Sequence, residues 1–405
     1  MFRFLNFSFA SIIIFLTSCS LFGIGEEGNE ANAYSPVWEY DFNVGYFSSL
    51  DPIIYKDKAI YTALDEKRSD FMANNTLEAF DKETGKIIWR WNETVDRPGD
   101  QFHFKGRYHI WNNILHISSG VDYAINLDNG ATNHYLNEAK YSGQAFFGKE
   151  NKIYSTFSVI EPDLQLFRGN IMVTNTDSYD WKLFLKGFIS DSTVIGYNQV
   201  LFDENNPNLV YLPYTEGYWG IEKVFTGIAV YDMLKEEIIL ERKYTEIGDN
   251  YPVEQLSILH EDRIFIPTRG KTICIDKNTG ELLWQTKVNG NASRSGILYT
   301  EDDGLYVNTE FYIYSLNPEN GNINWQTDSR GGSRLQYHNG VIYYTAGALL
   351  RAVDATTGEK LLAIEAPSRA DDDGAYFQPV LTIDHDNDRI YTASYTHAYC
   401  YPTLR

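Results

Sequence analysis

Ile275-Asp276-Lys277-Asn278-Thr279-Gly280-Glu281-Leu282-Leu283-Trp284 reads as the end of one β-strand, a tight turn and the start of another. The Asp276 side chain can accept backbone N–H groups two residues on, and Gly280 supplies the left-handed position that closes the hairpin. Leu282 and Trp284 alternate with Leu283, which predicts a strand apolar on both faces with a sheet packed on each side.

The same text recurs with Asp81, Gly85 and Trp89, with Asn317, Gly321 and Trp325, and with Asp354 and Gly358; Leu127-Asp128-Asn129-Gly130 is an eroded copy. One turn signal every ~40 residues, with four short strands per unit, is the pattern of a β-propeller. Cutting the chain at its hairpins gives repeats at about 50–91, 102–136, 141–188, 191–244, 251–286, 293–327 and 332–366, and an eighth from about 376. The third and fourth lose the turn, showing Asn175-Thr176-Asp177-Ser178 and Tyr231-Asp232-Met233-Leu234 instead. The eighth has three strands, while Val37-Trp38-Glu39-Tyr40-Asp41-Phe42 has the alternation of an orphan outer strand. The expectation is an all-β, eight-bladed β-propeller of four-stranded antiparallel blades over residues 36–405, its last blade closed by the N-terminal strand of Trp38.

The 405 residues are 43% hydrophobic and 15% aromatic, which excludes a disordered chain. A formal net charge of −21 argues against nucleic acid, whose phosphates demand a dense basic face. Three cysteines cannot make a disulfide framework, and Cys274 and Cys400, in strands of different repeats, read as buried thiols. Residues 1–18 read as a signal peptide: Arg3, then an apolar run from 7 to 16 that is too short to span a bilayer. Residues 19–35 read as a flexible tether. Leu16-Thr17-Ser18-Cys19 resembles the lipobox of bacterial lipoproteins, which implies lipidation of Cys19 and anchoring by its acyl chains.

The repeats resemble the pyrroloquinoline-quinone (PQQ) type of propeller repeat, and more closely the BamB-like outer-membrane assembly lipoproteins, which share the lipobox and eight blades. That resemblance implies a non-enzymatic scaffold or adaptor of the bacterial cell envelope, lipid-anchored at the outer membrane, whose partner is an envelope protein of the outer-membrane assembly class. The same repeat serves PQQ-dependent oxidoreductases, but those carry a vicinal cysteine pair and a calcium-bound cofactor. No adjacent cysteines occur here, so neither PQQ nor calcium is expected. Trp89, Trp284 and Trp325 read as wedges between blades, not as a cofactor stack. Asp384-His385-Asp386-Asn387-Asp388 reads as a turn, because Arg389 and Tyr395 stand where a calcium loop needs Gly and Glu. Eight histidines show no metal-ligand spacing, and no catalytic constellation is visible. A glycan-binding propeller is a further alternative, served by the central mouth and its tyrosines.

In an up-and-down blade, the first-to-second and third-to-fourth loops share one mouth of the ring; the second-to-third loops and blade connections share the other. The first mouth receives Glu301, Asp302, Asp303, Asp384, Asp386, Asp388 and the turn acids, and the second receives Arg97, Arg269, Lys271, Arg294, Arg330, Arg334 and Arg369. Two insertions fall on the second mouth and read as long loops: 158–170, with Leu164, Leu166, Phe167 and Arg168, and 215–225, with Tyr218 and Trp219. Arginines beside exposed apolar tips make this mouth the candidate partner-binding surface. BamB-like proteins bind their barrel-assembly partner through apolar and Arg loop residues, and Leu164-Gln165-Leu166-Phe167-Arg168-Gly169 is loosely similar to such a loop.

Overall fold

The computed structural model describes residues 34–42, 50–64, 75–93, 107–118, 122–136, 145–161, 166–187, 193–218, 223–248, 251–253, 256–370 and 375–405. Cys19, Arg97, Leu164 and Trp219 lie outside them, as do the signal segment and nearly all of the tether. Eight antiparallel sheets follow one another along the chain. In blade 5 the strands Ile258–His260, Arg263–Thr268, Lys271–Asp276 and Leu282–Lys287 pair in sequence order. Each blade begins at the axis, because first strands contact first strands of neighbouring blades: Tyr108–Trp111 meets Ala145–Lys149, and Ile53–Tyr55 meets Phe377–Asp384. Blade 4 carries one extra short strand, Leu201–Phe202.

Middle strands are buried on both faces, as Ile273, Cys274 and Ile275 show. The outer strand departs from the sequence expectation: Trp284 is buried, but Leu283 is 46% exposed. Sheets radiating from an axis diverge toward the circumference, so only a large side chain on one face still reaches the neighbouring blade. Burial drives the Cys274 and Cys400 thiols up to about 12 and leaves them as inert core groups.

The turn works as its chemistry dictates. Asp276 Oδ1 accepts the Asn278 and Thr279 amides at 2.9 and 2.8 Å, and Gly280, at φ 70°, donates its amide to the Asp276 carbonyl at 2.8 Å. Blades 3 and 4 correct the expectation that they had lost it. Asn175 Oδ1 accepts from Asp177 and Ser178, Asp232 Oδ1 accepts from Leu234 and Lys235, and Tyr179 (φ 60°) and Glu236 (φ 55°) occupy the glycine position. The Asx acceptor carries the geometry. A non-glycine residue tolerates the left-handed region there at a cost of about 1–2 kcal/mol.

The ring closes through its ends. Trp38–Asp41 pairs antiparallel with His397–Pro402, Trp38 opposite Cys400, and becomes the outer strand of blade 8.

Neighbouring blades are joined by a repeated dock in which an outer-strand Trp lies on the turn glycine of the next blade. The indole N–H donates to the carbonyl of the residue that follows the turn Asx. Trp38 Nε1 reaches the Lys82 carbonyl at 2.9 Å, Trp89 that of Leu127 at 3.2 Å, Trp284 that of Pro318 at 2.9 Å, and Trp325 that of Ala355 at 3.1 Å. Their rings cover Gly85, Gly130, Gly321 and Gly358; a Cβ on Gly358 would lie 2.6 Å from Trp325 Cε3. At the seam of blades 2 and 3 both partners are exchanged: His134 stands at the Trp position and Tyr179 at the Gly position. Beside them lies a cleft lined by His116, Asp122, Tyr123 and Ser155.

Candidate functional site

The two insertions are strands rather than loops. Lys152–Glu161 pairs with Leu166–Asn175 as far as Glu161 opposite Leu166, and Leu209–Tyr218 pairs with Lys223–Asp232 as far as Tyr218 opposite Lys223. Both stretches are rich in Tyr, Thr, Val, Ile and Phe, which suit a pleated ladder, and only four residues remain at each tip. Phe167 and Arg168 stand opposite Ile160 and Val159. These hairpins are ten residues a side against six in blade 5, so they rise about 13 Å further on the second mouth. The blade 4 arm is braced at its base: Lys243 Nζ is 3.0 Å from Glu216 Oε1 and lies over the Phe225 ring at 5.3 Å, and Thr215 Oγ1 accepts the Val253 amide.

The arginines are spread over several elements. Arg269 is in the second-to-third turn of blade 5, and Arg330, at φ 62°, is in the connection from blade 6 to blade 7. Arg369 belongs to the short 3-10 helix Pro367–Ala370 and pairs with Glu365 at 3.3 Å. Arg294 is not in a connection but within the inner strand Ala292–Tyr299, a correction that follows from that strand's starting earlier than its apolar pattern.

Arg334 has a different setting. Its Nε lies 3.3 Å from Asp51 Oδ2, and Asp51 Oδ1 accepts the Leu381 amide at 3.1 Å. Close by is Arg107, whose guanidinium lies over the Phe147 ring at 4.9 Å and whose buried Nε has no hydrogen-bond partner. Burial first, then the like charge of Arg334, lowers the Arg107 pKa to about 9. Asp51, Arg107, Phe147 and Arg334 come from blades 1, 2, 3 and 7, and blades so placed meet only at the axis. The sequence reading passed over Arg107 and Asp51. The available signal was position: Arg107 and Arg334 each stand just ahead of the first strand of a repeat, where the chain arrives at the axis on the second mouth.

The first mouth is less acidic than a count of its acids suggests, since cations reach it from adjoining blades. Lys82 pairs with Asp384 and Lys277 with Asp203, both at 2.8 Å, Lys56 pairs with Asp128 at 2.9 Å, and Arg263 holds Glu319. The Asp384 carboxylate is thus taken up by Lys82 and by Asn387 Nδ2 at 2.9 Å, within the turn. Among the described residues no group of three or more His, Cys, Asp or Glu is arranged to hold a metal ion. Histidines scattered in sequence do gather in space. His338 Nε2 meets Asp388 Oδ1 at 2.7 Å and its Nδ1 meets His385 Nδ1 at 3.0 Å, while His109, His116 and His134 surround the seam of blades 2 and 3.

The fold and its docked hairpins define an eight-bladed β-propeller. Residues 253–396 match the family model described as outer membrane protein assembly factor BamB. Among solved structures, BamB from Moraxella catarrhalis is similar at a TM-score of 0.60 and 13% identity, covering 92% of this chain and 98% of that one. A quinohemoprotein alcohol dehydrogenase from Pseudomonas putida is similar at a TM-score of 0.67 and 13% identity, covering 91% of this chain and 76% of that one. Identities this low speak for the fold alone. An uncharacterised protein of Archaeoglobus fulgidus is 21% identical over 352 residues, covering 78% of this chain. The match takes in 31% of that relative, so the chain spans about a third of its length.

Proposed function

We propose that this chain is a lipid-anchored, non-enzymatic scaffold or adaptor of the bacterial cell envelope that holds a protein partner on the second mouth of its ring. The observation that carries this reading is the pair of extended hairpins in neighbouring blades, both rising from the mouth that bears Arg330 and Arg334. Paired strands are a preorganised base for binding, which lowers its ordering cost. In this reading 1–18 is a signal peptide, Cys19 carries the lipid, 19–35 is the tether and 36–405 is the propeller. The BamB-like repeats favour an outer-membrane assembly component as partner. Neither PQQ nor calcium takes part.

The test is photo-crosslinking in native membranes, from probes placed at residue 166, at residue 219 and, on the opposite mouth, at residue 303. One envelope protein captured from 166 and 219 supports the proposal. Capture of that protein from 303 alone overturns it.

A further inference from the structure

The axis cluster deepens the reading just proposed and rests on it. Withdrawing a guanidinium from water is costly unless its N–H groups find acceptors. Arg107 Nε is buried with none, and the ring face of Phe147 attracts the cation without supplying an acceptor in the plane of its donors. Asp51 is no substitute, because its two oxygens are engaged by Arg334 and by the Leu381 amide. Among the described residues the site therefore brings two guanidinium groups to a carboxylate that is already committed, at the axis of a chain whose formal net charge is −21.

We propose that the axis at the second mouth receives one carboxylate of an acidic peptide segment, seated between Arg107 and Arg334. The chemistry of the occupant follows from the donors. A guanidinium presents a planar fork that fits a carboxylate in two parallel hydrogen bonds, and a second guanidinium nearby adds Coulombic attraction for the same anion. A peptide, rather than a free anion, is the occupant we assign because the backbone ladders of blades 3 and 4 extend on the same mouth, beyond what a single small anion needs. A positive site in a chain of net negative charge also confers selectivity, because it favours an acidic side chain that the net charge of the protein disfavours.

The experiment uses the full mature chain in detergent, with a fluorescein-labelled hexaglutamate peptide read by anisotropy and a hexaglutamine peptide as control. The wild type is expected to bind hexaglutamate and not hexaglutamine, more weakly as salt is raised. Arg107→Gln is expected to weaken binding about tenfold or more and Arg107→Lys to restore part of it, while the melting temperature changes little, since Arg107 Nε has no hydrogen bond to lose and only the Phe147 ring contact is given up. Equal binding by wild type and Arg107→Gln overturns the proposal. So does displacement of the peptide by inorganic phosphate at equal molar concentration, which would make this a free-anion site. A wild type that captures a partner by crosslinking from residue 166 yet binds no hexaglutamate sinks this inference alone; failure of that crosslinking strikes the scaffold reading beneath it.

Discussion

His134 lies face to face on Tyr179, ring centroids 4.0 Å apart and planes 20° from parallel, at the one described seam where the Trp and Gly of the dock are both replaced by other aromatic rings. The exchange is reciprocal, because the smaller imidazole leaves room for a side chain where glycine otherwise lies beneath indole.

This reciprocity predicts strong coupling. His134→Trp alone would drive an indole into Tyr179, and Tyr179→Gly alone would lose the stack while relieving the left-handed backbone. The double variant rebuilds the ordinary dock and should be more stable than additivity allows by about 1–2 kcal/mol. Urea unfolding of the four proteins measures it, and additive changes would mean that the two positions are independent.

A second pair of variants separates backbone strain from docking. Gly270 and Gly358 have φ of 69° and 74°, but a Cβ on Gly270 would meet nothing nearer than the Val288 carbonyl oxygen at 3.9 Å. Gly270→Ala should cost about 1 kcal/mol, and Gly358→Ala about 1–3 kcal/mol more, because its methyl displaces Trp325. Equal losses in thermal unfolding would show that the dock contributes nothing.

Acid should loosen the seam of blades 2 and 3. Burial first, then repulsion from His109 and His134, takes the His116 pKa from 6.5 to about 4. Between those values the unfolded chain binds a proton that the folded chain does not, so stability falls as pH drops through this window and levels off below it. The contribution at neutral pH has an upper bound of about 3 kcal/mol. Urea midpoints against pH should show a shallower slope from pH 6.5 to 4 for His116→Gln; identical slopes would assign the effect elsewhere.

Binding kinetics should divide the second mouth into two groups. Leu166→Ala with Trp219→Ala should cost about 2 kcal/mol, mainly through faster dissociation, whereas Arg330→Glu should slow association at low salt. Asp303→Asn on the other mouth should change little. A larger loss from Asp303→Asn than from the arm variants would put the partner on the wrong face.

Anchoring is tested at Cys19. The Cys19→Ser protein should take up no radiolabelled palmitate and should leave the membrane fraction. Label retained by the variant would remove the lipid from the proposed function.

The fold was legible wherever the determining chemistry is local. Asp276, Gly280 and Trp284 announce a hairpin and its dock within ten residues, and Trp38 could be matched to blade 8 because repeats can be counted. Whether residues 158–170 form a loop or a ladder depends on Ile160 finding Phe167 across a tip, which composition at either position leaves open. The same holds for the turn at Tyr179: its Asn175 acceptor was visible, but the ring of His134 that accommodates the tyrosine comes from another blade. Arg107 was the least legible, because its meaning comes from Phe147 and Arg334, which only the closed ring brings to it.

The pairing of Trp38 with Cys400 also sets an order of events in time. Most of the polypeptide lies between those two residues, so this is a contact of very high sequence separation, late to form and entropically costly to reach. Blades 1 to 7 can each zip up from strands adjacent in sequence, whereas the outer strand of blade 8 stays without its ladder until both ends of the propeller are present. Until then the strand His397–Pro402 presents an open edge and the Trp38 indole has no pocket, which leaves the nearly finished ring an edge on which another chain could pair.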